Sequence, residues 1–118
     1  MEEKKQLFEH LKSIKDYWVK TSVESLDENA DLIWSDYEEE YHKLQCLLKN
    51  DEEKEAYERV LNELIKGVLH SILVMVDGGD DLADKYTVDL VAEKHNKSMK
   101  MNGALHEEFY DYLLDVED

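Results

Sequence analysis

Four aspartates crowd a paired glycine in the stretch LVMVDGGDDLADKYTVDLV, residues 73–91. An oxygen-rich turn can hold a hard divalent cation, so Asp77, Asp80, Asp81 and Asp84 are the first group to test. A calcium loop wants acidic residues at alternating positions, glycine at the sixth and glutamate at the twelfth. Here both glycines directly follow the first aspartate, so that template fails and the stretch reads as a solvated turn. Glu39 and His42 have the Glu-x-x-His spacing that puts two metal ligands on one helix face. A di-iron bundle needs that pair twice, with a glutamate from each of two further helices. No other histidine in the chain follows a glutamate by three positions. His106-Glu-Glu opens like a zinc-binding His-Glu-x-x-His, but residue 110 is Tyr. His70 and Ser71 are adjacent, and neighbours on a helix point about 100° apart, so they cannot serve as base and nucleophile. Cys46 has only His42 at a close helical step and reads as an inert thiol. No catalytic residue, metal or cofactor is expected from these groups.

Glu24/Asp27 and Glu28/Asp31, with Glu55/Glu58, resemble the acidic helices of all-α nucleotide pyrophosphohydrolases. The resemblance implies Mg²⁺ held on carboxylates that point into a helical bundle. Here the pairs are interleaved with the exposed side or sit at a helix start, where the helix dipole already accounts for them. A nucleotide hydrolase is therefore kept as the enzymatic alternative to a binding role.

The formal net charge is −16 over 118 residues. A field of that sign repels nucleic acid and anionic membranes and attracts basic surfaces. It also keeps a protein in solution, which is the plainer explanation for it. Arg59 is the one arginine, so little is present to grip phosphate bidentately. Hydrophobic residues make up 42% of the chain, too many for a disordered acidic tail. The length suits one domain over residues 1–118, with enough surface to bury for a core. One cysteine excludes an intrachain disulfide and suits a reducing compartment. The charged start MEEKKQLFEH lacks the apolar stretch of a secretory signal, and VLHSILVMV (68–76) is far shorter than a membrane span. A cytoplasmic, soluble protein is expected.

The elements that would carry these groups follow from apolar spacing. Leu7, Leu11, Ile14 and Trp18, with Phe8 beside them, mark a helix over about residues 3–20. Ser25-Leu-Asp-Glu28 has the form of a capping box, and Leu26, Ala30, Ile33, Tyr37, Tyr41, Leu44 and Leu48 then keep a helical step. Asn50-Asp-Glu-Glu53 is a second capping signal. It starts a third helix whose stripe Tyr57, Leu61, Leu64, Val68, Ile72 and Met75 is expected to be buried. Val60, Ile65, Leu69 and Leu73 widen that stripe until the helix is apolar nearly all round. Gly78 falls where a helix-ending residue belongs, because glycine reaches the left-handed conformation without a clash. Beyond it Tyr86, Val88, Leu90 and Ala92 alternate with polar residues, which predicts a strand; a short helix over 81–94 is the rival reading. His95-Asn-Lys97 would turn the chain, and Met99 and Met101 would face inward from a return strand. Leu105, Phe109, Leu113 and Val116 mark a last short helix. The fold class is mostly α (α+β): three long helices, a small β-hairpin after the Gly78-Gly79 turn, and a short C-terminal helix.

The run 73–91, followed by ALHEEFYDYLL, resembles small bacterial proteins of the toxin-immunity type over residues 70–114. It carries an apolar helix ending in Asp77-Gly78-Gly79, then Leu82-Ala83-Asp84, a strand, and Leu105-His106-Glu107 before the aromatic Phe109. The resemblance implies a protein that binds a toxin and blocks it. A nuclease toxin has a basic groove, for which an acidic inhibitor is the complement. The expected function is thus an acidic protein-binding module with a basic protein partner, and a homo-oligomeric structural protein, a homodimer for example, is the non-enzymatic alternative. The residues expected to face the partner are Asp31, Asp36, Glu38, Glu39 and Glu40 on the second helix, and Asp77, Asp80, Asp81 and Asp84 in the turn.

Overall fold

The computed structural model describes residues 2–101 and 103–117. Its elements are α1 (Glu2–Glu24), α2 (Glu38–Leu47), α3 (Asp51–Val76), a 3-10 turn (Asp81–Asp84), β1 (Val91–Ala92), β2 (Lys97–Ser98) and α4 (Leu105–Val116). The protein is mostly α-helical with a small antiparallel hairpin. Among the described residues no helix is long and apolar enough to cross a membrane.

Local chemistry accounts for both ends of α3. Asn50 Oδ1 accepts the Glu53 amide at 2.8 Å, while Glu53 Oε1 accepts the amides of Asn50 at 3.2 Å and Lys49 at 3.1 Å. This reciprocal box satisfies amides that a helix start leaves free. At the other end the Gly79 amide reaches the Val74 carbonyl and the Gly78 amide reaches Met75. Those two bonds define a Schellman ending, and Gly78 takes the positive φ of 76° that it demands.

The second helix is shorter than its periodicity implies. Residues 26–37 form turns, and α2 begins only at Glu38. Ser25 does not cap a helix: its hydroxyl donates back to the Ser22 carbonyl at 2.5 Å. Asp27 and Asp31 compete with helical bonding by accepting the amides of Asn29 and Ile33 at 2.9 and 3.0 Å. Short acidic side chains favour such local turns over helix interiors.

Two compact units make up the chain, one drawn from Met1–Ser13 and Lys66–Asp118, the other from Ile14–Ile65. In the first, Phe8, Leu73, Val76, Leu105, Phe109 and Leu113 form the buried core, with Val88, Leu90, Met99 and Tyr112 among the residues packed on it. Phe8 lies 5.4 Å from Phe109 and 5.9 Å from Tyr112, ring centre to ring centre. Burying each phenyl stabilises the unit by about 1.5–3 kcal/mol. The hairpin pairs Val91 with Ser98 and Ala92 with Lys97, and Asn96 turns it at a positive φ of 51°. Residues 81–94 are therefore a 3-10 turn, a stretch without regular structure and the two-residue strand Val91–Ala92, not a helix, and the strand expected from Tyr86 onward is confined to those two residues. Met101, expected inside, is exposed, and so is Tyr86.

In the second unit Val19, Leu26 and Leu32 are buried together with the polar Lys15, Ser25 and Gln45. Gln45 Nε2 donates to the carbonyls of Ser25 at 2.9 Å and Asp27 at 3.1 Å, tying α2 to the turns before it.

The expected face of α3 is wrong. Leu64 is 60% exposed, and Val68, Ile72 and Val60 are exposed with it, at four-residue steps. Leu61 and Met75 are only half-buried. The residues that close the core are Leu73 and Val76. A helix apolar nearly all round contains several stripes, and only the position of Phe8, Leu105 and Phe109 selects the one that packs. Ile14 and Trp18 on α1 are likewise exposed.

Candidate functional site

In the first unit the Asp-Gly-Gly turn and the Leu-His-Glu segment meet. Asp77 Oδ1 accepts the Leu105 amide at 3.0 Å, and Oδ2 accepts the His106 amide at 2.8 Å. Oδ2 also lies 2.6 Å from His106 Nδ1. The His70 ring stands edge-on to His106 with centroids 5.3 Å apart. Asp77 thus caps α4 from a position 28 residues upstream. Burial pushes its carboxyl upward, but the amide and ring of His106 and the Leu105 amide outweigh burial, and the group is held below its ordinary range. Its side chain is only 7% exposed. This carboxylate joins two segments of the fold and does not face solvent as part of an acidic rim.

Neighbouring cations do similar work. Lys100 Nζ donates to the carbonyls of Val76 at 3.0 Å and Val88 at 2.9 Å, tying the end of α3 to the chain before β1. Buried Lys4 donates to the Met101 carbonyl and pairs with Glu108, each at 2.7 Å. Asp80 Oδ1 accepts the Leu82 amide at 3.1 Å and caps the 3-10 turn, in which Asp81 and Asp84 are exposed.

The second unit carries a cavity and a row of exposed aromatic rings. A cavity of about 310 Å³ is lined by Thr21, Glu24, Ser25, Asp27, Asn29, Ala30, Asp31 and Trp34. The Trp34 indole is held in place from several sides. Its Nε1 donates to the Asp31 carbonyl at 3.0 Å, and its ring meets Tyr41 at 5.3 Å and Trp18 at 6.4 Å, both edge-on. Tyr17 extends this row, 5.3 Å from Trp18. Trp18, Trp34 and Tyr17 are nevertheless exposed, and Ile33 beside them is 90% exposed. Large apolar groups braced against one another yet open to water are what a binding surface presents.

The acidic residues singled out in the sequence therefore have different fates. Asp31 lines the cavity beside Glu24 and Asp27; Asp36, Glu38, Glu39 and Glu40 are exposed in the same unit but do not line it. Asp77, Asp80, Asp81 and Asp84 belong to the other unit. Glu38 lies 3.6 Å from His42 Nε2, a loose one-turn pair. Glu28 and Asp31 are not helical, so the shared helix face implied by the hydrolase resemblance does not form there. Among the described residues no three His, Cys, Asp or Glu side chains are grouped so as to hold a metal ion.

Sequence reasoning missed the aromatic row, because Trp18, Tyr37 and Tyr41 were assigned to buried stripes and Trp34 to none. It also missed Lys15, which is completely buried and donates to Asp16 at 2.6 Å and Asn62 at 2.8 Å. A signal was present: Lys4, Phe8, Lys15 and Val19 share a helical register on α1, and all four are buried.

No family model matches this sequence, and neither a curated protein nor a solved structure is significantly similar to it.

Proposed function

We propose that this protein is an acidic protein-binding module rather than an enzyme, that its partner is a basic protein, and that its role is to neutralise a bacterial toxin as an immunity protein. The observation that carries the binding role is the exposed row Tyr17–Trp18–Trp34 beside the carboxylates of Glu24, Asp27 and Asp31. Tryptophan and tyrosine dominate the energetics of protein interfaces, and carboxylates around them select a cationic counterpart and speed its approach. The net charge of −16 extends that attraction over the whole chain. The toxin is inferred from the resemblance in residues 70–114.

The test is expression of the neighbouring reading frame, alone and with this protein. Growth arrest by the neighbour, relieved by co-expression, is the expected result. A harmless neighbour, or arrest that co-expression leaves untouched, overturns the immunity role.

One observation favours a homo-oligomer instead: the exposed stripe Val60, Leu64, Val68 and Ile72 along α3. Such an interface would be apolar and nearly indifferent to salt. Sedimentation velocity at low and high salt separates the readings, because a salt-resistant dimer requires the stripe and a monomer leaves it bare.

A further inference from the structure

We infer that the cavity beside Trp34 receives an arginine side chain from the basic partner. The inference rests on the proposed basic partner and adds the place and the chemical group by which it is held. Three carboxylates, Glu24, Asp27 and Asp31, line the cavity, and no lysine or arginine does. Asp27 and Asp31 each use Oδ1 to brace a turn. Among the described residues their Oδ2 atoms have no protein donor. Among the described residues the Glu24 carboxylate has only Lys20, at 3.8 Å between two exposed side chains. The cavity is therefore anionic, with acceptors left over.

Its indole wall decides the kind of cation. A planar guanidinium stacks on an aromatic face and gives two parallel hydrogen bonds to a carboxylate, whereas an ammonium is a compact, strongly hydrated point charge. Trp34 is already fixed by Asp31, Trp18 and Tyr41, so little ordering is left to do on binding. At about 310 Å³ the space is at the small end of ligand pockets, which suits one side chain rather than a cofactor. The exposed Trp18, Tyr17 and Ile33 next to it supply apolar contact for the flanking residues of the same partner.

The experiment uses the full chain with octa-arginine and octa-lysine peptides, titrated calorimetrically at moderate salt. Tryptophan fluorescence is followed in parallel. Octa-arginine should bind more tightly than octa-lysine and quench the fluorescence. Glu24→Gln should weaken octa-arginine about threefold or more, and Trp34→Leu should remove most of the preference for arginine. Glu58→Gln removes the same charge from the exposed face of α3 and should change affinity less than about twofold. Glu24→Gln leaves the turns of Asp27 and Asp31 intact, so it remains informative if Trp34→Leu loses helicity by circular dichroism. Equal losses for Glu24→Gln and Glu58→Gln, or no preference for arginine in the parent, overturn the cavity assignment but leave the basic partner standing. Absence of binding to either peptide even at low salt overturns both.

Discussion

Asp77→Ala is the sharpest test of how the fold is joined. The carboxylate takes three hydrogen bonds, from the Leu105 amide, the His106 amide and the His106 ring. Leu105 is completely buried, so water cannot readily replace the lost acceptor. A buried donor left without a partner costs about 1–3 kcal/mol, and the loss of a helix cap alone about 0.5–2 kcal/mol. The two effects describe the same bonds and do not simply add, so the truncation should cost about 1.5–4 kcal/mol. Asp77→Asn retains one acceptor oxygen but turns its amide toward the His106 side, and should cost roughly half as much. Urea titration followed by far-UV circular dichroism measures both, and amide exchange should show α4 losing protection first. A loss below about 0.5 kcal/mol for Asp77→Ala would refute the capping argument. The pH dependence has a definite sign. The folded Asp77 carboxyl lies below its unfolded value, so its contribution is complete above about pH 4 and is lost as pH falls through the folded value. As pH falls below about 4 and the carboxyl takes up its proton, the stability gap between parent and Asp77→Asn should shrink. A gap that widens below about pH 4 would contradict the lowered carboxyl.

Other perturbations separate the packed face of α3 from the bare one. Leu73→Ala, in the buried core, should cost about 2–5 kcal/mol in a denaturant titration, whereas exposed Leu64→Ala should stay within about 0.5 kcal/mol. Gly78→Ala forces a side chain into a positive φ and should cost about 1–2 kcal/mol, read from the thermal midpoint. Incubation with a nucleotide panel and Mg²⁺ or Mn²⁺ should give no turnover; turnover abolished by Glu28→Gln would restore the hydrolase reading.

Local rules were legible in the sequence wherever they could act alone. The Asn50–Glu53 box and the Gly78 ending both depend on a few neighbouring residues, and both form as their residue types require. The hairpin turn at Asn96 and the helix from Leu105 were legible for the same reason. Reading failed where a competing side-chain bond or a distant partner decides. The apolar spacing of 26–48 suited a helix, but Asp27 and Asp31 capture nearby amides and Gln45 ties the turned chain to α2. On α3 the buried stripe is selected by Phe8 and α4, which no local pattern reveals. The Asp77 carboxylate looked like surface charge because its donors lie 28 and 29 residues away. The candidate cavity was hidden for a related reason: Trp34 fitted no helical stripe, and it gains meaning only once the turn sets it against Trp18 and Tyr41.

The claim that the partner is a basic protein is tested most directly by affinity capture from the native cell at low and moderate salt, with each recovered protein identified. Charge steering between exposed groups is screened within about 8 Å at physiological ionic strength. A protein of high isoelectric point should be captured at low salt and be released progressively as salt rises. Capture with Glu24→Gln should recover less of it. Recovery of no basic protein at either salt, with the chain itself running as a salt-resistant dimer, would contradict the account.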